Sequence, residues 1–309
     1  MLLIFTVKFA VENCIFICFE VDELVRDAKD RTKEIQRSKI RIEVVGESNL
    51  QIKPLYGFLR STILAITNDG NLIAIASDGT CYNYKDAKWN LFNSVPGYSE
   101  SYCCTMKAVT LPEGIHLFRD SMYNFLHNNS VDWINRSVEN WSLSFVGSML
   151  ALPENKIVKI HALNCVDQFE ILDVESVKCY QMPPVPPRRY RALGAIIGYF
   201  KNQIFMTGGC KITNYGGVVC TGRTLIYSLP NFSAIKGPDL NVARNKHGMG
   251  IICIGGVSKL IVFGGVGVRG TLLDSIEEWD EQEHQWKMSK IKLSEPNICI
   301  RYCFKSVVN

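Results

Sequence analysis

With 309 residues, 47% of them hydrophobic and 21% charged, the chain has a globular composition with enough apolar residues for a sizeable core. Its 34 basic and 30 acidic residues give a formal net charge of +4 and are spread along the chain, which argues against a nucleic-acid-binding protein. A chain of this length forms either two ordinary domains or one large all-β or α/β domain.

The first residues, "MLLIFTVKFAVENCIFICFEV", are apolar but do not have the pattern of a membrane span or a signal peptide. Lys8, Glu12 and Asn13 fall in the middle of the run, where a spanning helix tolerates polar groups least. The run also lacks a basic leading region and a small-residue cleavage site. We therefore expect two strands or the remnant of a preceding element here, and no association with a membrane.

The next stretch, "VDELVRDAKDRTKEIQRSK", is predicted to be one amphipathic helix. Apolar residues recur in it at helical spacing among alternating charges: Val21, Leu24, Val25, Ala28 and Ile35. The strand-like segment "KIRIEVVG" (39–46) follows it. Together these elements make a predicted N-terminal extension, residues 1–55, ahead of a repeat domain, residues 56–309.

A comparison of the chain with itself reveals a repeat. The segment "GAIIGYFKNQIFMTGG" (194–209) aligns without a gap on "GIICIGGVSKLIVFGG" (250–265). The matched positions are Gly194 with Gly250, Gly208-Gly209 with Gly264-Gly265 and, upstream, Arg188 with Arg244. Two strands joined by a turn and ending in a glycine pair therefore occur twice.

Aromatic residues seven positions apart are the second repeated feature. The clear pairs are Trp279 with Trp286 and Tyr82 with Trp89, and degraded pairs follow the same spacing: Ile134 with Trp141, Leu172 with Cys179 and Tyr227 with Ala234. With a weaker match of 65–79 to 108–121, the chain holds five copies of about 38–56 residues, each with about four short strands. Four-stranded antiparallel units repeated without helical crossovers predict an all-β fold, a β-propeller.

The repeat length, the glycine pair at a strand end and the spaced aromatic pair resemble the kelch repeat over roughly residues 56–309. WD-type blades would instead show a histidine near the first strand and a closing Trp-Asp, and neither recurs. The resemblance implies structural roles: glycines where backbones crowd at the channel, and aromatic residues between blades. The string "GGVGVRG" is not a phosphate loop, because no helix is predicted after it.

A propeller must close its ring. The last segment, "SEPNICIRYCFKSVVN", has the pattern of the first strand of a further copy, and the strand 39–46 could complete that blade. We therefore predict a kelch-type β-propeller of six four-stranded blades with a composite closing blade, a truncated chain being the alternative.

The cysteines and histidines do not form the pattern of a metal site. Several of the 12 cysteines lie in apolar runs, where a thiol behaves as a small hydrophobe, and no C-x-x-C pair has a matching partner. The histidines are dispersed along the chain: His116, His127, His161, His247 and His284. We predict reduced thiols in a cytoplasmic protein, with no metal and no cofactor.

The best candidates for binding are loop residues. The loops between strands two and three, and those between blades, gather on one face of a propeller, where rigid sheets support them. The candidate binding residues are Arg188, Arg189, Tyr190, Arg191, Lys211, Asn214, Tyr215, Arg244, Lys246, His247 and Arg269. Arginine and tyrosine are frequent at interface hot spots. The alternative for the aligned Arg188 and Arg244 is an ion pair or cap belonging to the repeat itself.

These features predict a non-catalytic protein-protein interaction module that binds a partner protein or an acidic peptide segment at its loop face. The resemblance to kelch-like proteins implies a substrate-recognition role in a cullin-RING ubiquitin ligase adaptor, although no BTB or BACK domain is evident before residue 56. The alternative is a carbohydrate-directed propeller enzyme, similar to galactose oxidase or to sugar-acid mutarotases. No residues of the copper-radical site can be matched here, so no catalytic residue is assigned.

Overall fold

The strands of the protein are short and mostly sequential. The computed structural model describes residues 14–26, 34–46, 55–56, 63–67, 70–76, 78–86, 88–98, 106–119, 122–128, 130–138, 141, 146–163, 166–182, 190–212, 217–229, 233–254, 256–294 and 302–304. The strands are β1 (Cys14–Arg26), β2 (Glu34–Gly46), β3 (Leu55–Tyr56), β4 (Ile63–Ile66), β5 (Leu72–Ile75), β6 (Thr80–Lys85), β7 (Lys88–Ser94), β8 (Lys107–Leu111), β9 (Gly114–Arg119), β10 (Met122–His127), β11 (Trp133–Arg136), β12 (Val146–Leu152), β13 (Lys156–Leu163), β14 (Val166–Asp173), β15 (Lys178–Gln181), β16 (Tyr190–Phe200), β17 (Gln203–Ile212), β18 (Val218–Cys220), β19 (Thr224–Ser228), β20 (Ser233–Lys236), β21 (Gly248–Ile254), β22 (Val257–Phe263), β23 (Ser275–Asp280), β24 (Gln285–Lys292) and β25 (Tyr302–Phe304). A 3₁₀ turn, η1 (Val268–Gly270), lies between β22 and β23.

Five antiparallel meanders follow one another along the chain and form the blades of an all-β propeller. The first four-stranded blades are β4–β7, β8–β11 and β12–β15. The fourth blade is β16-β17-β19-β20, with β18 paired to β17, and the fifth is β21–β24. Within the described residues, five blades are therefore formed in chain order, where six were predicted.

Strands from the two ends of the chain form a further sheet, in the order β25-β1-β2-β3. Its register places Ile15 opposite Phe304, and the segment 39–46 lies within β2. This sheet contacts both β4 and β21, the first strands of the first and fifth blades. The last segment therefore pairs with a strand from the start of the chain, but with β1 and not with the segment 39–46 as predicted. Because this sheet does not repeat the sequential meander of the five blades, the predicted number of six is wrong.

The predicted amphipathic helix is wrong for the residues that the structure describes. Residues 21–26 belong to β1 and residues 34–38 to β2, while residues 27–33 lie outside the described part. The two strands pair along their whole length, with Glu23 opposite Arg37 and Arg26 opposite Glu34. Residues of opposite charge thus occupy paired positions, so the charge pattern that suggested a helix is equally compatible with a hairpin.

The repeated glycine pairs have the backbone geometry that the sequence predicted. Gly208, Gly209, Gly264 and Gly265 all have positive φ, at 65°, 90°, 60° and 93°, a region that glycine enters without steric cost. Space is also restricted, since a Cβ on Gly265 would lie 2.6 Å from the carbonyl oxygen of Asn245. Each pair therefore lets strand two turn close beneath a neighbouring loop.

Replacing Gly265 with alanine is expected to destabilise the protein by about 2–4 kcal/mol, from backbone strain and from the contact with the loop backbone. Gly256 supplies the matched control, because its φ is also positive but no atom lies within 4 Å of its Cβ position. Urea unfolding of both variants measures the difference. A Gly265→Ala variant no less stable than Gly256→Ala would contradict the crowding argument.

Apolar side chains fill the spaces between neighbouring blades, and the aromatic pairs contribute to them. Trp279 and Trp286 are direct cross-strand partners with ring centroids 5.3 Å apart. Both rings approach Phe205 of the preceding blade, at 5.1 and 6.3 Å. The spacing of seven residues is therefore the signature of a hairpin whose two arms meet the previous blade.

The weaker aromatic pairs are confirmed only in part. Leu172 lies opposite Cys179, and Tyr227 lies opposite Ala234, as the spacing predicts. The pairing of Tyr82 with Trp89 is wrong, because the partner of Trp89 in register is Tyr84, at 5.0 Å between ring centroids. In the second blade Ile134, predicted as a member of such a pair, is 49% exposed, whereas its neighbour Trp133 is buried. The first blade differs because its hairpin turn has two residues, whereas the turn of the fifth blade has four. In the second blade the cross-strand pair seven residues apart is Leu126 with Trp133, so the predicted pair of Ile134 with Trp141 is also wrong.

Candidate binding face

A buried arginine anchors the loop that leads from the fourth blade into the fifth. The Arg244 guanidinium is fully buried and forms a 2.8 Å ion pair with the carboxylate of Glu277 on β23. Its remaining donors reach Val242 O, Gly264 O, Ser275 O and Ser275 Oγ, at 3.3, 2.9, 3.1 and 3.0 Å. Since a guanidinium has five N–H donors, this side chain is saturated with partners inside the protein.

Glu277 completes the anchor from the other side. Its carboxylate also accepts hydrogen bonds from the backbone N–H groups of Asn241 and Val242, at 2.7 and 3.1 Å. One buried ion pair therefore connects the loop, the glycine pair and strand β23. The structure places Arg244 in the interior, so it supports the loop and does not face solvent as the sequence proposed.

His247, also proposed as a binding residue, is likewise buried. Its Nε2 lies 2.9 Å from the Thr207 hydroxyl on β17. Burial, with the positive charge of Arg244 as a second cause, holds the pKa of His247 well below its usual value, so the ring is neutral at physiological pH. The imidazole therefore acts as a spacer beneath the loop and not as a contact for a partner.

Asn245 joins three segments of the two blades at one point. Its backbone pairs with Val266 in the loop after β22, through N–H to carbonyl bonds of 2.9 and 2.8 Å. Its side-chain amide nitrogen lies 3.1 Å from the sulfur of Cys210 on β17 and 3.0 Å from that of Cys220 on β18. The loops of the fourth and fifth blades therefore converge, as the propeller architecture predicts.

Exposed cations extend from each of the three converging segments. Lys211 follows Cys210, Lys246 follows Asn245, and Arg269 lies in η1, just beyond Val266; all three side chains are exposed. Lys246 and Arg269 have positive φ, 50° and 60°, which is uncommon for residues with a side chain and occurs in tight loops. These three residues form what we call the basic loop face.

The other candidate residues are placed only in part. Tyr190 and Arg191 lie at the start of β16, in register with Lys211 and Cys210. This register puts their positions at the same edge of the fourth blade as the basic loop face. Four candidates lie outside the described residues: Arg188, Arg189, Asn214 and Tyr215.

Sequence reasoning missed the residues that hold this face together, namely Glu277, Asn245, Cys210 and Cys220. Glu277 lies 33 residues from Arg244, and Cys210 lies 35 residues from Asn245. Neither separation matches a motif. The sequence signal that could have found Glu277 is an acidic residue inside an otherwise core-facing strand, two positions before Trp279.

Buried polar groups of the second and third blades serve the core. Lys159 forms a 2.8 Å ion pair with Glu170, and its ammonium lies 3.9 Å from the centroid of the Trp141 ring. His116 bridges Glu113 and the hydroxyl of Tyr123, at 3.1 and 2.7 Å. Burial raises the pKa of Tyr123 to about 12, so its hydroxyl remains neutral. Throughout the described ranges, no group of three or more His, Cys, Asp or Glu side chains could hold a metal ion.

No family model matches the chain. It is similar to alpha-scruin and beta-scruin of Limulus polyphemus, at 28% identity over 106 residues in each case. That match covers 34% of this chain, which spans only 11% of the length of each scruin. Together with the four-stranded blades, these similarities support a kelch-type β-propeller. None of the helices that the structure describes has the length and hydrophobicity to cross a bilayer.

Proposed function

We propose that this kelch-type propeller is a non-catalytic protein-interaction module whose basic loop face binds an acidic segment of a partner protein. The observation that carries the proposal is the convergence of Lys211, Lys246 and Arg269 on segments fixed by Asn245. The cations are exposed, whereas Arg244 and His247 in the adjoining loop are buried.

A rigid base favours binding because it lowers the entropy lost when the complex forms. Two contacts fix the end of the loop before β21: the ion pair of Arg244 with Glu277 and the hydrogen bond between His247 and Thr207. Lys246 lies between these two anchors. Its backbone is therefore held in place before any partner arrives.

The chemistry of the face suits carboxylates. A guanidinium such as that of Arg269 binds a carboxylate through two parallel hydrogen bonds, and a lysine ammonium adds a mobile point charge. We propose that the remaining candidates also take part in binding: Arg188, Arg189, Tyr190, Arg191, Asn214 and Tyr215. Because the whole chain is close to neutral, the attraction is local and acts over about 10 Å at 0.1 M salt.

We further propose, from the resemblance to the propellers of kelch-like proteins, that the bound protein is a substrate of a cullin-RING ubiquitin ligase. In this role the propeller recognises the substrate, and the transfer of ubiquitin takes place elsewhere in the complex. The cysteine usage, with Cys81, Cys179, Cys210 and Cys220 as free thiols, suits action in the cytoplasm.

The test is the reversal of two charges on the basic loop face, Lys246→Glu with Arg269→Glu. We expect the double variant to bind fluorescent Asp/Glu-rich peptides at least about tenfold more weakly than the wild type at low salt, a loss of about 1.4 kcal/mol. Its melting temperature should stay close to that of the wild type, since exposed charges contribute only about 0–1 kcal/mol to folding. Fluorescence anisotropy at two salt concentrations measures the affinity.

A charge-matched control is available on the opposite face. Lys85 and Lys88 are exposed and flank the turn between strands three and four of the first blade. Because that turn lies at the other end of the strands, Lys85→Glu with Lys88→Glu should leave peptide binding unchanged. An equal loss of peptide affinity in both double variants would show that only net charge matters, and would refute specific binding at the basic loop face.

A further inference from the structure

Two cysteines lie directly opposite each other beneath the basic loop face. Cys210 on β17 is paired in register with Cys220 on β18. The neighbouring pair, Gly209 with Thr221, is hydrogen-bonded, because the N–H of Thr221 donates to Gly209 O at 3.0 Å. Hydrogen-bonded and non-hydrogen-bonded pairs alternate in an antiparallel ladder, which makes Cys210 and Cys220 a non-hydrogen-bonded pair.

This geometry is within the range of a disulfide. The Cα atoms of a non-hydrogen-bonded pair lie about 4.5 Å apart, and disulfides span about 4.4–6.8 Å between Cα atoms. The two side chains also lie on the same side of the sheet, since the amide nitrogen of Asn245 contacts both sulfurs, at 3.1 and 3.0 Å. The sulfurs therefore converge before any bond between them is formed.

The two thiols differ in access to solvent. Cys220 is partly exposed, whereas Cys210 is 7% exposed. Burial is the largest cause that raises the pKa of Cys210. An oxidant would therefore reach Cys220 first, and Cys210 would react second from the interior.

We propose that Cys210 and Cys220 are a redox-active pair that a peroxide oxidises to a disulfide and a small dithiol reduces again. The Cys220 sulfur attacks one oxygen of hydrogen peroxide, the O–O bond breaks, and a sulfenic acid and a first water form. The Cys210 sulfur then attacks the sulfenic sulfur, the S–O bond breaks, and the oxygen leaves with the Cys210 proton as a second water. Two thiols are oxidised and one peroxide is reduced to two waters.

Oxidation would also remove a contact that holds the basic loop face. In the reduced protein the Cys220 thiol donates to Val266 O and Gly267 O, at 3.5 and 3.3 Å. Gly267 leads directly into η1, which carries Arg269. A disulfide has no S–H, so the loop loses this support, and we expect weaker binding of acidic peptides in the oxidised state. This consequence rests on the proposed function, whereas the formation of the disulfide does not.

The direct test is a disulfide map of the full chain after brief treatment with hydrogen peroxide and alkylation of the remaining thiols. Trypsin cleaves after Lys211 and Arg223, which separates Cys210 and Cys220 into two peptides, 202–211 and 212–223. We expect these peptides to be linked after oxidation and released by dithiothreitol. Cys81 is the internal control, since its burial raises the pKa to about 12 and it should remain alkylatable after unfolding.

A map in which Cys210 and Cys220 are both recovered as free thiols or as unlinked oxidation products would overturn the proposal. The Cys220→Ser variant should give no linked peptide, and its melting temperature reports whether it folds. Peptide binding is then compared between oxidised wild type and oxidised Cys220→Ser. If neither binds acidic peptides in any state, the proposed function fails while the linked peptides still establish the redox pair.

Discussion

Replacing Trp286 with alanine is expected to lower the free energy of unfolding by about 3–5 kcal/mol. The side chain is 3% exposed and lies between the fourth and fifth blades, against Trp279 and Phe205. Its indole N–H also donates to the Thr224 hydroxyl of the fourth blade, at 3.1 Å. Alanine would therefore open a cavity between two blades and leave a buried hydroxyl with one partner fewer.

Two matched variants separate the contributions of Trp286. Met288 lies two positions along the same strand and is 49% exposed, so Met288→Ala should change stability by no more than about 0.5 kcal/mol. Trp286→Phe keeps an aromatic ring but loses the pyrrole ring and its bond to Thr224, and it should cost less than the alanine variant. Denaturant unfolding, followed by far-UV circular dichroism, measures the free energy of unfolding of all three variants. If Trp286→Ala cost no more than Met288→Ala, the ring would not join the two blades.

The blade itself could be predicted from the sequence because its signals are local. A glycine pair with positive φ and an aromatic pair across a hairpin both occupy short stretches, as in Gly264-Gly265 and Trp279 with Trp286. The segment from Val21 to Arg26 could not be assigned in the same way. Its apolar spacing fits a helix, and only pairing with β2, which begins at Glu34, makes it a strand.

The candidate site was predictable as a region but not residue by residue. Lys246 and Arg269 are exposed loop residues, as the sequence indicated, whereas Arg244 and His247 turn inward. A loop arginine is buried only where the interior provides acceptors for its N–H groups, and here the carboxylate acceptor, Glu277, comes from strand β23. Such long-range complementarity leaves no spacing signal in a single sequence.

Replacing Arg244 with alanine is expected to destabilise the protein by about 3–5 kcal/mol, because the carboxylate of Glu277 would remain buried without its counter-charge. Four further acceptors lose donors at the same time: Val242 O, Gly264 O, Ser275 O and Ser275 Oγ. Arg244→Lys should recover only part of this loss, since an ammonium cannot reproduce five directed hydrogen bonds. Equilibrium unfolding in urea gives the differences.

The effect of Arg244 should be coupled to that of Glu277 and should extend to binding. Glu277→Leu alone is also costly, because it leaves the Arg244 guanidinium buried without its carboxylate and frees the N–H groups of Asn241 and Val242. The double variant, Arg244→Met with Glu277→Leu, should be destabilised by less than the sum of Arg244→Met alone and Glu277→Leu alone, because the two residues belong to one network. In Arg244→Lys, the loop that carries Lys246 loses part of its anchor, so acidic peptides should bind more weakly although no exposed charge has changed. Additive costs in the double-mutant cycle, or unchanged peptide affinity in a folded Arg244→Lys protein, would show that the ion pair does not position the basic loop face.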